Sequence, residues 1–402
     1  MSAHVVVVGG GYGGLRAVEH LANDPAFRIT LVDANPYHYL QTEAYGYIAG
    51  RFDIHEVTID LANWCSGFSP KVEFLHEKAL RFDTDSKTLT TENRTLSYDY
   101  LIVAVGAHTN FFEFIAGLRE HSYGVKVLQR AFAFRSMFET LIYEKVCESR
   151  HNGDESLHIA IGGAGLSGVE IAAEMAEVIQ RNYRTLGTNA QRIKIRLIDA
   201  APTILPGMSP YIIDKTRRRL ESLGIEILTN AFIDRVGDDV IRLKDGTALP
   251  YRFMIFTGGI KAHTLASDAP LTLNRILQLQ PDARLNVGGK ADVFAIGDCV
   301  ELKDANGKLL PPTAQTAEKS AEYVAQSIKQ QLKGEEPKSF HARVDGVFVA
   351  LGGHYAVGEL FGFIRVKGYK AYLLKKLITK SYHLGLKLRI NTGFRKRTSS
   401  AA

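Results

Sequence analysis

Residues Val5–Gly14 read VVVVGGGYGG. Four β-branched residues in a row predict a strand buried on both faces. The run leads straight into Gly9-x-Gly11-x-x-Gly14, and Leu15–Asn23 is expected to be helical. Strand, glycine turn and helix in this order form a dinucleotide-binding βαβ unit. Gly9 permits the tight turn, Gly11 lets a pyrophosphate approach the backbone, and Gly14 lets helix and strand pack closely. The helix N-terminus then faces the phosphates with its partial positive charge. The next strand, Arg28–Asp33 (RITLVD), ends in an acid 24 residues after Gly9. That is near the spacing at which a carboxylate takes ribose hydroxyls. The aromatic-rich segment Asn35–Gly50 (NPYHYLQTEAYGYIAG) leaves the carboxyl end of that strand, where ligands bind in parallel sheets, so it is read as pocket wall. His38, set among tyrosines, is read as packed rather than as a proton relay.

Further along, Val57–Trp64 is expected to be a helix, Lys71–Phe82 a strand pair, and Thr88–Thr91 with Leu96–Ser97 a hairpin. Tyr98–Gly106 (YDYLIVAVG) reads as a buried strand ending in glycine, Phe111–Gly117 as a linker, and Val125–Glu148 as a helix. The strand His158–Ile161 then opens into Gly163-x-Gly165-x-x-Gly168, with Glu170 two positions on and a helix over Leu166–Gln180. Arg192–Asp199 (RIKIRLID) again ends in an acid. This second unit is the most informative feature of the chain, because two dinucleotide units imply two dinucleotides, one held permanently and one exchanging. Asp199, followed by Ala200 and Ala201 rather than arginines, favours a free 2′-hydroxyl and hence NAD over NADP. Later elements are a helix over Tyr211–Leu223, a strand over Ile225–Leu228, a hairpin turning at Asp245-Gly246, and the strands RFMIFTGG (Arg252–Gly259) and ADVFAIGD (Ala291–Asp298). A helix follows Pro311-Pro312 with Thr313 as its cap, and two strands lie over Arg343–Val349 and Tyr355–Phe361.

Length and composition fit this organisation. The chain of 402 residues allows two to three domains, and a hydrophobic content of 46% permits sizeable cores. Cys65, Cys147 and Cys299 are far apart, with no CxxC, which fits a reducing compartment. No signal segment is expected before the first strand, and no apolar run approaches the ~18 residues that span a bilayer. The net charge of +6 is uneven. Glu359 is the last acid, and eleven basic residues follow it, from Arg365 to Arg397, so an acidic body carries a basic tail. In the tail the apolar positions fit one helical face as far as Lys380, whereas Leu384-x-Leu386-x-Leu388-x-Ile390 alternates like a strand. A single long helix is therefore not expected there. Such a basic, apolar segment suits an anionic membrane surface. Nucleic acid is the rival polyanion, but nothing else in the chain reads as a nucleic-acid module.

The order GGGYGG…LVD, LIVAVG, GGAGLSGVE, FTGGIKA, VFAIGD and PTAQTA resembles the two-dinucleotide flavoprotein superfamily, with its glutathione-reductase-like α/β fold of two Rossmann-like domains. Within it the chain is most similar to the type II NADH:quinone oxidoreductases. NPYHYLQTEAY, Ala314-Gln315-x-Ala317 and the basic aromatic tail are the narrower features. The resemblance implies an FAD-binding domain over 1–112 and 263–333, an NADH-binding domain over 113–262, and a C-terminal domain over 334–402 with a membrane-associating tail. It implies that Gly9, Gly11, Gly14 and Asp33 hold the ADP half of non-covalent FAD. Gly106 would close against the flavin, Asp298 would bind its ribityl and phosphate region, and Thr42 would sit near the isoalloxazine. Gly163, Gly165, Gly168, Glu170, Asp199 and Gly259 would bind NADH, with Glu170 shaping the nicotinamide site. Ala314 and Gln315 would lie where a ubiquinone or menaquinone head group meets the flavin. Lys319 stands where the family usually carries a second glutamine, and Thr257-Gly258-Gly259 replaces Ala-Ala-Gly. The implied activity is transfer of electrons from NADH to a membrane quinone without proton pumping. The implied place is the cytoplasmic face of the inner or plasma membrane, with a homodimer allowed. No metal is expected.

Two rival readings remain on the sequence. A sulfide:quinone oxidoreductase shares the fold but needs redox cysteines around the flavin, one of them late in the chain, and no cysteine follows Cys299. A redox-responsive flavoprotein that binds NADH slowly and acts through a partner would also suit the basic tail. A disulfide reductase would need a CxxxxC after the first glycine unit, and none is there.

Overall fold

The structure, a computed structural model, describes residues 2–149, 156–185 and 193–390. Two parallel sheets with helices on their faces organise it. In the first, the strand order is Val293–Ala295, Tyr100–Val103, Ala3–Val8, Phe27–Asp33, Val72–His76, all parallel. The VVVV strand is central, and its valines are 0–3% exposed. Each such side chain contributes about 1.5–3 kcal/mol of burial free energy. In the second sheet the order is Phe253–Phe256, Leu157–Gly162, Ile193–Ile198, Glu226–Leu228, again all parallel. Reading from the glycine-bearing strand, the two sheets share one topology: the second strand lies on one side and the last strand on the other.

The first sheet has one strand more. Val293–Ala295 joins it only after the chain has passed through the whole second unit, and it delivers Gly297 and Asp298 to the carboxyl edge. The helix Ala314–Leu332 then packs on the helix Tyr12–Ala22. Its N-cap is Thr313, which closes a capping box with Thr316, as the Pro-Pro-Thr start predicts. A three-stranded antiparallel sheet, Gly346–Ala350, Ala356–Leu360 and Ile364–Gly368, leads into the C-terminal helix Tyr369–Arg389.

Three expectations are corrected. Val57–Trp64 is not one helix: Thr58–Asp60 pairs with Tyr37–Tyr39, and a helix spans only Leu61–Ser66, capped by the Asp60 side chain, which accepts from Asn63 N–H. The strand Ile364–Gly368 was not anticipated, because charges at Arg365 and Lys367 mask it. The tail is a single helix through Arg389. The leucine alternation that argued for a strand comes from two helix faces: Leu386 is buried against the body, while Leu384 and Leu388 are 57% and 67% exposed. Arg395, Lys396 and Arg397, and Arg192 at the start of the expected strand Arg192–Asp199, lie outside the described residues. Among the described residues no helix is long and apolar enough to cross a membrane.

Candidate functional site

The two glycine turns are built alike. Gly9 and Gly163 have φ of +112° and +101°, which favours glycine, and a Cβ on either would run into neighbouring backbone. A Cβ on Gly14 would lie 1.8 Å from the Gly9 carbonyl oxygen, and one on Gly168 would lie 1.9 Å from that of Gly163, so both helices sit too close for any other residue. A Cβ on Gly11 or Gly165 meets nothing within 4 Å. The middle glycine is thus required by no protein contact, which is what a backbone left open to a ligand needs. No side chain caps the N-terminus of Tyr12–Ala22, so its first N–H groups stay free for phosphate.

The two strand-end acids also correspond. Asp33 accepts from Gly10 N–H at 2.6 Å and Asn35 N–H at 2.7 Å. Asp199 accepts from Ala164 N–H at 2.5 Å and Ala201 N–H at 2.7 Å. Each carboxylate therefore clamps the glycine turn of its own unit. Burial pushes the Asp33 carboxyl up, against the opposing pull of these donors.

Both turns open on one cavity of about 630 Å³. Gly9, Gly11, Asp33, Thr42 and Gly106 line it from the first unit, and Gly165 and Glu170 from the second. Asp298, Ala314 and Ala317 line it from the returning chain, and Phe348 and Lys375 from the C-terminal part. Gly14 and Gly168 lie behind the turns as packing positions. Gly163, Asp199 and Gly259 sit beside the cavity rather than on its wall. Gln315 and Lys319 are also off the wall. The Gln315 carbonyl oxygen accepts from Asp345 N–H at 3.0 Å, and Lys319 Nζ pairs with the Asp345 carboxylate at 2.5 Å.

Several residues on or near the cavity were not singled out by the sequence reading. Lys126 lies 2.7 Å from Asp298 and places a cation against the expected ribityl-binding acid. Lys375, from the basic tail, turns inward: its Nζ is 2.9 Å from Glu170 Oε1, which also accepts from Ala350 N–H at 2.9 Å. Both side chains of this pair are 12% exposed. Close by, Glu43 is held up to about 7 by burial, and its Oε1 has no hydrogen-bond partner. Arg51 joins Glu174, the Gly353 carbonyl and Tyr372 of the same tail helix. Against the first turn, Tyr12 bonds Thr42 at 2.8 Å and stacks on Tyr382, whose hydroxyl is 3.3 Å from His38 Nε2. His38 is 1% exposed and burial holds it down at about 4, so it is packed and neutral at physiological pH, as expected. A signal for the tail contacts does exist in the sequence: Ala371, Lys375, Tyr382 and Leu386 recur at helical spacing. The lysine in that stripe hid it.

The two glycine turns, from different units, thus face one shared cavity. Cys65 and Cys299 are free and buried and do not line it, and burial pushes the Cys299 thiol up to about 12.

Residues 3–321 match the family model of pyridine nucleotide-disulphide oxidoreductases. The chain is similar to the type II NADH:quinone oxidoreductases of Staphylococcus haemolyticus (29% identity over 390 residues) and Staphylococcus aureus strain NCTC 8325 (29% over 389), covering 93% of both chains in each case. Among solved structures it is similar to NDH2 from Plasmodium falciparum in complex with NADH, at a TM-score of 0.82, 22% identity and 94% of both chains. It is also similar to the sulfide:quinone oxidoreductase from Aquifex aeolicus, at 0.80, 19% identity, 99% of this chain and 94% of that one. At these identities the structural likenesses speak for the fold.

Proposed function

The chain belongs to the pyridine nucleotide-disulphide oxidoreductase family, and from that premise we propose that it is an NADH:quinone oxidoreductase with FAD as its resident cofactor. The observation that carries the reading is the single cavity shared by two glycine turns of equal geometry. The whole-length similarity to type II NADH:quinone oxidoreductases supports the choice of acceptor. In this reading 1–112 and 263–333 hold FAD, 113–262 holds NADH, and 334–402 carries the membrane-facing part.

The chemistry that bound FAD supplies is hydride acceptance from NADH and delivery of two electrons to a quinone, which with one proton from solvent gives NAD⁺ and the quinol. The chain itself binds and orients. Gly9, Gly11 and Asp33 would cradle the adenosine diphosphate of FAD, with Gly14 letting the helix pack close behind the turn and with Thr42, Gly106 and Asp298 along the rest of the cofactor. Gly163, Gly165, Gly168, Asp199 and Gly259 receive NADH, and Glu170, fixed by Lys375, shapes the nicotinamide end. Ala314, on the cavity wall, would meet the quinone, with Gln315 next to it off the wall. No acid–base side chain is needed for the hydride step.

The C-terminal helix supports an anionic bilayer as the docking surface. Leu377, Leu384 and Leu388 are 57–67% exposed on its outer face, with Lys370, Lys380 and Lys387 exposed around them. The tip of the preceding hairpin adds exposed Phe361 and Phe363. Lys375 and Arg389 do not contribute, since they pair with Glu170 and Glu19. Leu377→Glu combined with Leu384→Glu is expected to abolish co-sedimentation with anionic vesicles while leaving NADH oxidation by a soluble acceptor intact.

The reading as a whole is tested by anaerobic flavin reduction with NADH against NADPH, then reoxidation by ubiquinone and menaquinone analogues. Fast reduction by NADH and fast reoxidation by a quinone are expected. Slow reduction to a long-lived charge-transfer complex would instead favour a redox-responsive binding protein, and bleaching of the flavin by sulfide would favour the sulfide reading.

A further inference from the structure

The C-terminal helix Tyr369–Arg389 carries Lys375, Tyr382 and Arg389 at intervals of seven, about two turns each, so the three share one face. The outer two are ion-paired to the body, Lys375 to Glu170 at 2.9 Å and Arg389 to Glu19 at 2.8 Å. Glu19 belongs to the helix Tyr12–Ala22 that follows the first glycine turn. Tyr382, between them, reaches towards the turn itself. Its ring stacks on Tyr12 with centroids 5.1 Å apart, and its hydroxyl lies 3.3 Å from His38 Nε2. The other ring nitrogen of His38, Nδ1, lies 3.0 Å from the Gly10 carbonyl oxygen.

Chemistry fixes the direction of these bonds. A carbonyl only accepts, so His38 Nδ1 carries the proton and donates to Gly10. His38 is neutral, so Nε2 bears a lone pair and the Tyr382 hydroxyl donates to it. Burial pushes that hydroxyl well above the usual phenol range, which keeps it a donor at neutral pH. Gly10 is thus held at both ends, its carbonyl by His38 and its N–H by Asp33 at 2.6 Å. The Gly10–Gly11 peptide is trans, so the Gly11 N–H points away from the Gly10 carbonyl and from the ring that holds it. The two glycines differ in setting accordingly. Gly10 is buried, and a Cβ on it would press on Leu61 at 2.7 Å. Gly11 is exposed on the cavity wall, and its N–H has no acceptor among the described residues.

We infer that Tyr382 of the C-terminal helix is a positioning residue for the flavin: through His38 it fixes the Gly10–Gly11 peptide, so that the Gly11 N–H stays free for a phosphate oxygen of FAD. The inference rests on the FAD reading above and adds a second role for the tail. The outer face of the helix carries the exposed leucines, while the inner face holds the turn that retains the cofactor. An N–H that is already aimed loses less freedom when it binds an anion, and its bond to a charged oxygen is a strong one.

The test follows release of FAD from the full-length holoprotein, read as the rise of free-flavin fluorescence after dilution. Tyr382→Phe keeps the stack on Tyr12 and removes only the hydroxyl, and release is expected about tenfold faster. His38→Asn keeps an amide N–H near the place of Nδ1 but offers Tyr382 no ring nitrogen. It should match Y382F, and the double variant should release no faster than either single one. His38→Leu also leaves the Gly10 carbonyl buried without its donor, and release should be about a hundredfold faster. Leu386→Ala is the control for helix docking alone, since Leu386 is buried on the same helix and takes no part in these hydrogen bonds. It should lower the urea midpoint and leave release within about threefold of the parent. Parental release rates in Y382F and H38N would overturn the inference, even where His38→Leu does not fold. So would additive effects of Y382F and H38N, or an L386A protein that releases flavin as fast as Y382F, since each marks a merely structural role. A parent protein that purifies without FAD would overturn the flavin reading itself, and the inference with it.

Discussion

The two glycine units differ in almost nothing local and in almost everything around them. Their turns have matching φ angles, matching helix–strand clearances and matching acid clamps from Asp33 and Asp199. Yet the first unit is completed by chain from far downstream. It gains the strand Val293–Ala295, the helix Ala314–Leu332 against its own helix, and Tyr382 stacked over Tyr12. The second unit lacks the extra strand; its helix Leu166–Thr185 buries Ile171, Met175 and Ile179 in an apolar cluster shared with Tyr47, Ile48 and Val349, and adds two polar pairs, Glu170 to Lys375 and Glu174 to Arg51. In the proposed reading, one local design would serve both a permanently held and an exchanging dinucleotide. The enclosure supplied by distant segments, not the motif, would then carry the distinction.

The largest effect should come from filling the middle glycine of each unit. Gly11→Val and Gly165→Val both point a side chain into space that meets no protein atom, so both variants should fold. G11V is expected to purify without flavin. G165V should keep stoichiometric flavin and raise the KM for NADH on the order of a hundredfold. Flavin-to-protein absorbance ratios check this, and equal flavin content in the two variants would erase the comparison.

Next comes the polar tie of the second unit. Lys375→Met leaves the Glu170 carboxylate poorly exposed and without its ammonium. Removing one partner of such a pair costs roughly 3–5 kcal/mol. Urea unfolding should show that loss, whereas a parental midpoint would mean that the tail helix is not anchored there.

Glu43, which sits between the two units, gives a pH-dependent effect. Its folded-state pKa is raised from the usual carboxylate value to about 7, so the folded protein holds this proton more tightly than the unfolded chain. Its contribution is most favourable below about 4.5 and is lost as pH rises through about 7. Glu43→Gln removes that slope. It should match the parent near pH 5 and exceed it by roughly 2–3 kcal/mol at pH 8, by linkage over about two pKa units. Urea titrations at the two pH values test the sign. The smallest effect concerns the acids. Asp199→Ala should narrow the preference for NADH over NADPH about tenfold, or about 1.4 kcal/mol, while Asp33→Ala should change flavin content instead. Steady-state kinetics with both nucleotides will tell whether the two acids keep separate ligands.

Much of this site is legible from short stretches. GGGYGG and GGAGLSG specify their turns because each needs only residues within one strand–turn–helix, and the acids Asp33 and Asp199 follow from strand spacing. His38 could be read as packed from its tyrosine neighbours alone. The C-terminal helix was harder. Its leucine alternation mimics a strand, and Lys375 looked like one more lipid-facing base, because periodicity does not say which face of a helix finds a partner. The contacts of Gln315 and Lys319 were harder still, since both bond Asp345, a residue in no motif.

The sequence by itself determined two strand–glycine-turn–helix units, their order, and the glycines on which each turn depends. These depend on steric limits at single glycines and on hydrogen bonds between near neighbours. Only the tertiary structure decided that both turns share one cavity, that the basic tail is partly turned inward to hold Glu170, and that Asp345 bonds both Gln315 and Lys319. Those contacts join side chains up to several hundred positions apart. Their existence follows from how two sheets, a returning strand and a final helix pack, not from any property of the residues read one stretch at a time.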